Sequence, residues 1–228
     1  RGFSQPLGRI TGAVNDFESA MAASNARVIA IGASTAVLST AVAGFRSLAK
    51  ASIEVEKNLA DVNRILQLNT ATLQQFGKEL FNISKRTATS FNDASKALLE
   101  FSRQGLNAEE TLRRTNDALT LTRLAGLGAE ASVAALTATV NGFSKSGLTT
   151  TQVLNKLVAV EQAFAVSARD LSEGLARTGQ AAQEAGADID QLNALISAAQ
   201  QRTARGGAVI GNALKTIFTR LQRSDTLD

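Results

Sequence analysis

The sequence predicts an all-α fold in which a long N-terminal helix is followed by packed helical hairpins. The 228 residues contain a single proline, and they are rich in alanine, leucine and other strong helix formers with scarcely any alternating β-branched run. After residue 69, glycines and N-cap residues divide the chain into segments of about 12 to 20 residues, the ordinary length of a globular helix. The predicted helices there are 72–87, 92–104, 108–126, 130–146, 150–165, 168–185, 189–201 and 207–223.

The N-terminal part, residues 1–68, has a different pattern. Residues 28–45 carry no charge, and Arg27 and Arg46 stand at the two ends. Alanine, glycine, serine and threonine dilute this segment, whereas a bilayer core requires about 20 predominantly apolar residues. We therefore expect either a buried oligomer-forming helix or, as the alternative, a membrane-inserted one. The small residues that would let two backbones approach closely on one helix face are Gly32, Ala36 and Thr40.

The same helix is expected to continue well beyond the apolar segment. No glycine interrupts the chain between Gly44 and Gly77, and residues 47–68 carry charged side chains, among them Glu54, Glu56, Lys57, Asp61 and Arg64, between apolar positions. A continuous helix from about residue 13 to 68 would be roughly 80 Å long, more than a compact domain of this size needs. Such a helix requires partners, most simply other copies of the same chain.

A junction recurs in the second domain, residues 69–228. The segment 101–106 (FSRQGL) is echoed by 143–148 (FSKSGL) and more weakly by 182–187 (AQEAGA). Each junction has a glycine where one helix should end in the left-handed conformation, which predicts a stack of hairpins like those of solenoid proteins. The predicted helix hinges are Gly105, Gly147 and Gly186.

The residues that follow each hinge predict where the next helix begins. Two residues after the glycine stands a good N-cap, and three residues further stands Glu or Gln. This spacing is that of a capping box, whose two reciprocal hydrogen bonds satisfy amides of the first helical turn. The predicted cap pairs are Asn107 with Glu110, Thr149 with Gln152, and Asp188 with Gln191.

Composition argues against most enzyme chemistry. The chain has no histidine and no cysteine, so it lacks the residues for the usual zinc sites, haem ligation, nucleophilic triads and disulfides. Gly206 and Gly211 have the separation of a phosphate loop, but Asn212 stands where its lysine should be. We expect no catalysis, no cofactor, no metal and no small-molecule substrate, and we attribute these glycines to close helix packing.

A cluster of positive charge marks the C-terminal end. No acidic residue occurs between Asp190 and Asp225, although the net charge of the whole chain is only +4. An amphipathic helix with a solvated face explains this pattern, and a nucleic-acid-binding face is the alternative. The basic residues of this face are Arg202, Arg205, Lys215, Arg220 and Arg223.

From about Glu54 to Arg223, the chain resembles the core region of phage tail tape-measure proteins. The likeness is carried by four segments in order, 54–62 (EVEKNLADV), 89–98 (TSFNDASKAL) running into Gly105 and Leu106, 170–176 (DLSEGLA), and 206–214 (GGAVIGNAL) continuing through 220–221. The closing segment 202–211 departs from the Gly-x-x-Gly-Ser-x-Ala-Gly run that is common in the family.

The resemblance implies a structural role. Tape-measure proteins lie as three or six copies in the lumen of the growing tail, where their length sets the tail length as tube subunits polymerise around them. It implies self-association, contacts with tail-tube and baseplate or tail-tip proteins, location in the virion, release ahead of the DNA, and transient contact with the host envelope.

Family members are usually longer, and the chain opens on Arg1, so we expect a piece of a larger polypeptide. The hairpin pattern indicates a folded part near one end and not the measuring rod. Two alternatives stay open: a membrane-active pore or translocation module that uses residues 28–45, and a helical nucleic-acid-binding domain that uses the basic C-terminal helix.

Overall fold

A computed structural model of the chain describes residues 53–222, and this part of the chain is entirely helical apart from its turns. These residues lie in one compact unit that begins at Ala51. The helices, in chain order, are α1 (53–66), α2 (Thr70–Thr87), α3 (Phe91–Ser102), α4 (Ala108–Ala125), α5 (Ala129–Gly142), α6 (Thr150–Ala163), α7 (Ala168–Glu184), α8 (Ile189–Thr203) and α9 (Gly207–Leu221).

The all-α prediction is confirmed for residues 53–222, and each of the eight helices predicted after residue 69 is present. The N-terminal part of the predicted long helix lies outside the described residues, as do Gly32, Ala36, Thr40 and Arg223. Within the described part, α1 ends at residue 66 and not 68, because Gln67 adopts a left-handed φ of 52°. The Asn63 side chain closes this end by accepting a hydrogen bond from the Leu68 amide at 2.9 Å.

The largest boundary error is in the predicted helix 130–146. The α-helix ends at Gly142, and Ser144–Ser146 form a separate 3-10 turn. Phe143 lies between them with a non-helical ψ of 37° and is fully buried, and the edge of its ring lies 3.0 Å from the position that a Cβ on Gly179 would take. Burial of this ring decides where the helix ends, and a tertiary contact of that kind is not visible in local sequence.

Helix starts follow the capping residues closely. The N-cap side chain accepts a hydrogen bond from a first-turn amide in six of the described helices, which satisfies donors that have no partner inside the helix. These N-caps are Asn69, Ser90, Asn107, Thr149, Ser167 and Asp188. The beginnings of the helices were therefore predictable from local sequence.

Helix α7 has the most extensive packing in the fold. It contacts α5 on one side and α9 on another, and it also packs against α8 and α6. Its Leu171 and Leu175 are fully buried, together with Leu192 and Ile196 of α8 and Leu157 of α6. The C-terminal half of the described fold is thus organised around α7.

Left-handed residues at two helix ends give a paired prediction. Ala204 at the end of α8 has φ 50°, whereas Gly147 has φ 62° with no atom near the position of a Cβ. A Cβ is disfavoured in this conformation. We expect Ala204→Gly to raise the free energy of unfolding by about 0.5–1 kcal/mol and Gly147→Ala to lower it by a similar amount. Urea titration followed by circular dichroism measures both, and shifts of the same sign would contradict the backbone explanation.

Candidate functional site: the close helix contacts of α7

One face of α7 is formed by three residues spaced by about one helical turn. Asp170, Gly174 and Thr178 follow one another at intervals of four residues, which places them on the same face of the helix. Gly174 and Thr178 are buried. This face meets the beginning of α9, and the next residue, Gly179, meets α5.

Glycines allow the backbones of α7 and α9 to touch. A Cβ added at Gly207 would overlap the main chain of Asp170, and one added at Gly211 would lie 3.0 Å from the Cα of Gly174. Gly174 is closed from another side as well, since its Cβ would lie 2.7 Å from Cδ1 of Ile196. Main-chain atoms cannot rotate away from the overlap at Gly207, so the contact requires glycine at 207, and a Cβ at 211 would be accommodated only by a small shift of the two backbones.

Polar groups hold the same contact in register. The Gly207 amide donates to Oδ1 of Asp170 at 2.7 Å, and the Gly206 amide donates to Oε1 of Gln200 at 3.0 Å. One turn further along, the Thr178 hydroxyl donates to the Gly211 carbonyl at 2.7 Å. The amide that a phosphate loop would offer to an anion is therefore occupied by Asp170.

The opposite flank of α7 makes a second close contact, with α5. A Cβ at Gly142 would lie 3.0 Å from the Gln180 nitrogen and 3.2 Å from the Gly179 carbonyl carbon. Gly179 in turn accepts the Phe143 ring, because a Cβ there would lie 3.0 Å from Cε2 of that ring. Glycines on both flanks thus bring α5 and α9 within backbone distance of α7.

Two of the segments that carry the tape-measure resemblance meet at this site. Asp170 and Gly174 belong to the segment 170–176, and Gly207 and Gly211 belong to the segment 206–214. The sequence predicted close packing of the second segment and gave no partner for it. The four-residue spacing in both segments was the available signal, since two small-residue faces of equal spacing can pair.

A second polar cluster joins α4 to the start of α6. Asp117 is only 3% exposed, and its Oδ2 accepts hydrogen bonds from the hydroxyls of Thr150 at 2.6 Å and Thr151 at 2.8 Å. Arg113 Nη1 lies 3.6 Å from the same oxygen and donates to the Thr151 hydroxyl at 2.6 Å. This carboxylate also lies at the N-terminus of α6, where a negative charge is favourable.

The pair Asn107 and Glu110 makes only half of the predicted capping box. Asn107 accepts a hydrogen bond from the Glu110 amide at 2.8 Å, but the Glu110 carboxylate binds Arg113 and Arg114 and does not return to the N-cap backbone. The Arg113 hydrogen bond lowers the pKa of Glu110 more than partial burial raises it, and Arg114 adds to the lowering. Stability from this group is therefore present above the unfolded pKa of glutamate and is lost as the pH falls through the lowered value.

The other predicted cap residues and hinges are placed as follows. Thr149 with Gln152 and Asp188 with Gln191 each form both hydrogen bonds of a capping box. Gly105, Gly147 and Gly186 each have positive φ, at 74°, 62° and 86°. The three glycines lie in separate exposed turns, so the structure does not bring them together into one site.

The predicted basic residues within the described part of the chain are exposed, and they are distributed over α8, the following loop and α9. Lys215 borders a cleft between α5, α7 and α9 that Arg177 also lines. The sequence predicts one apolar side of this amphipathic helix, formed by Leu214, Ile217, Phe218 and Leu221. Phe218 is buried and Leu214 is half-buried, but Ile217 and Leu221 are exposed. Ile210, one heptad before Ile217 on the same face, is buried, so the core covers the first half of this face and leaves its C-terminal end in solvent.

A buried amide without partners gives a further prediction. Asn193 in α8 is 1% exposed, and within residues 53–222 neither its Oδ1 nor its Nδ2 has a hydrogen-bond partner. We expect Asn193→Leu to raise the free energy of unfolding by about 1–3 kcal/mol, because burial of an unpaired amide is costly. Asn58 is the matched control, since its Nδ2 donates to the Ser95 hydroxyl at 2.9 Å and Asn58→Leu should destabilise. Stabilisation by both variants would contradict this explanation.

Within residues 53–222, no helix combines the length and apolar character needed to cross a membrane. The same part of the chain holds no group of three or more acidic side chains placed to bind a metal ion. The apolar segment 28–45 lies outside the described residues.

No solved structure matches the chain. Residues 71–228 match the family of phage-related minor tail proteins, and this range includes both close contacts of α7. The chain therefore belongs to the family of phage-related minor tail proteins, which are structural proteins of the phage tail.

Proposed function

We propose that this chain is the folded part of a tape-measure protein, which sets tail length during assembly and acts without catalytic turnover. The observation that supports the proposal is a contact between two segments, 170–176 and 206–214. Both segments carry the resemblance to tape-measure proteins, and they pack against each other through Gly174, Gly207 and Gly211. Membership in the minor tail family supports the same role.

The short helices of residues 69–222 support the proposal that this region is a folded part of the tape-measure protein and not its measuring rod. The longest helices with both ends described, α2 and α4, have 18 residues each and so span about 27 Å. If the same residues formed one continuous helix, each residue would add about 1.5 Å to its length along the helix axis. Residues 69–222 therefore contribute little axial length per residue, and the measuring length of the proposed ruler lies in helical segments outside them.

The remaining features of the proposal follow from the tape-measure role. Several copies, three or six, associate side by side in the tail-tube lumen through the N-terminal helix, with Gly32, Ala36 and Thr40 at the contact. The partners are tail-tube subunits and baseplate or tail-tip proteins. The protein leaves ahead of the DNA on infection and makes transient contact with the host envelope.

Deletions in the phage gene test the proposal. An in-frame deletion in the rod-like helical segments outside residues 69–222 should shorten the tail by about 1.5 Å per residue removed. A deletion of α7 to α9 should instead abolish regular tails, because it removes a packed unit and almost no length. Electron micrographs of both phages give the result, and normal tail length after the rod deletion would overturn the ruler function.

A further inference from the structure

A cleft opens between α5, α7 and α9, and all three helices contribute residues to its lining. Its volume is about 440 Å³, which falls within the range of sites that bind small ligands. Four of the lining residues have small side chains, so no bulky group fills the space: Ala138, Gly142, Ala176 and Ala181. The cleft is therefore open to a ligand of modest size.

Backbone contacts hold the walls of the cleft in place. A Cβ on Gly142 of α5 would lie 3.0 Å from the Gln180 nitrogen of α7, so these two helices touch. Helix α9 is fixed to α7 near both of its ends, by the close contact of Gly207 and by Gln222, whose Nε2 donates to the Ala181 carbonyl at 2.9 Å. The cleft is thus formed before any ligand arrives, and a preorganised site loses less conformational entropy on binding.

Two cations line this cleft without a counter-ion. Arg177 of α7 and Lys215 of α9 are both exposed, and neither forms a salt bridge within residues 53–222. They stem from neighbouring positions, because a Cβ on Gly211 would lie 3.2 Å from Cβ of Arg177, and Lys215 follows Gly211 by one turn of α9. Two positive charges in one cleft repel each other, and a bound anion offsets this repulsion.

One acidic residue also lines the cleft. Glu184 is the last residue of α7 and lies about two turns beyond Arg177. Its Oε1 accepts a hydrogen bond from Gln180 Nε2 at 2.9 Å, and within the described chain no ion pair joins it to Arg177 or Lys215. The lining therefore keeps a positive charge where the two cations lie.

The donor groups of the walls indicate which anion fits. A guanidinium offers parallel hydrogen bonds to an oxyanion, an ammonium acts as a point charge, and the exposed Asn141 amide of α5 adds a neutral donor. These groups come from three helices, so they suit an anion with three strong acceptor oxygens and a charge of about −2 better than a planar carboxylate. We propose that the cleft binds a phosphoryl group, as inorganic phosphate or a phosphate monoester, through Arg177, Lys215 and Asn141.

Titration calorimetry of the full chain tests the proposal. The probes, at constant ionic strength, are inorganic phosphate, glycerol 3-phosphate and acetate. We expect both phosphates to bind at least about tenfold more tightly than acetate, because a dianion neutralises both cations. Equal affinity for acetate, or no binding of either phosphate, would overturn the proposal.

Variants with equal charge changes locate the binding. Arg177→Gln and Lys215→Gln should each lower the affinity for glycerol 3-phosphate by about tenfold or more. Arg202→Gln and Arg205→Gln are the matched controls, since both arginines are exposed but do not line the cleft, and they should leave the affinity unchanged. Equal losses in the two pairs would show attraction by net charge alone and overturn the assignment. Circular dichroism of each variant confirms that the helices are retained.

Two further probes distinguish the source of the phosphoryl group. Vesicles of phosphatidylcholine with one-tenth phosphatidic acid present the group on a lipid. Vesicle binding that Arg177→Gln abolishes would support the proposal with a lipid headgroup as the ligand, and binding of glycerol 3-phosphate alone would support it with a soluble ester. Tighter cleft-dependent binding of a single-stranded oligonucleotide without terminal phosphates would overturn it in favour of a nucleic-acid backbone.

Discussion

Gly207→Ala is expected to lower the free energy of unfolding by about 3 kcal/mol or more, the largest effect of any single methyl group added to the described fold. The new Cβ would overlap the main chain of Asp170, which has no rotamer to yield. Helix α9 must then move away from α7, and the Asp170 hydrogen bond to the Gly207 amide is lost with the movement. Urea or thermal unfolding followed by circular dichroism measures the effect.

A glycine in an open helix position provides the control. Gly77 lies inside α2, and a Cβ there would meet only Cδ1 of Leu59 at 3.9 Å, an ordinary contact. Gly77→Ala should therefore stabilise the protein by about 0.5–1 kcal/mol, since alanine is the better helix former. Gly211→Ala, whose Cβ would lie 3.0 Å from Gly174, should fall between the two. The close-contact assignment fails if Gly207→Ala behaves like Gly77→Ala.

The second large effect is expected at Asp117. Asp117→Ala removes a buried acceptor and leaves the hydroxyls of Thr150 and Thr151 without their partner. We expect a loss of about 1–3 kcal/mol in the free energy of unfolding, because the Thr150 hydroxyl stays fully buried without an acceptor. Arg113 adds little to the loss, since its side chain is 34% exposed and it retains the ion pair with Glu110. Unfolding of the variant by urea, compared with the unchanged protein at the same pH, gives the difference.

Asp190 offers a matched control for this variant. Its carboxylate also bridges two helices, to Lys156 at 2.7 Å, but its side chain is 64% exposed. An exposed ion pair contributes about 1 kcal/mol or less, so Asp190→Ala should have a small effect. The two aspartates stand in comparable helix-to-helix contacts and differ in burial. Similar losses at both positions would show that burial of Asp117 is not the cause.

Local sequence accounts for most of the helix boundaries. N-caps such as Thr149 and Asp188, and left-handed glycines such as Gly147 and Gly186, act within one turn of the chain, so their effect is visible without knowledge of the fold. The largest boundary error occurs where a distant residue intervenes. The Phe143 ring is buried against Gly179, and α5 ends early.

The candidate site was only partly predictable. The sequence indicated that Gly206 to Gly211 serve close packing, but the partner, Asp170 and Gly174 of α7, is far away along the chain. The same limit applies to Asp117, which sequence pattern alone would place among ordinary helix charges. Its burial depends on how α4 meets the start of α6, and a single sequence does not contain that pairing.

By itself, the sequence determined the all-α class, the starts of the helices after residue 69 and the lack of histidine and cysteine as catalytic or metal-binding residues. Those properties depend on composition and on hydrogen bonds within one helical turn. Tertiary structure decided which faces are buried. Helical periodicity groups Ile217 with Ile210 and Leu221 with Leu214, which stand one heptad earlier on the same face of α9. Ile210 is buried and Leu214 is half-buried, whereas Ile217 and Leu221 are more than half exposed. The physical reason is that periodicity defines an apolar face relative to its own helix, whereas the neighbouring helices decide how much of the length of that face is covered.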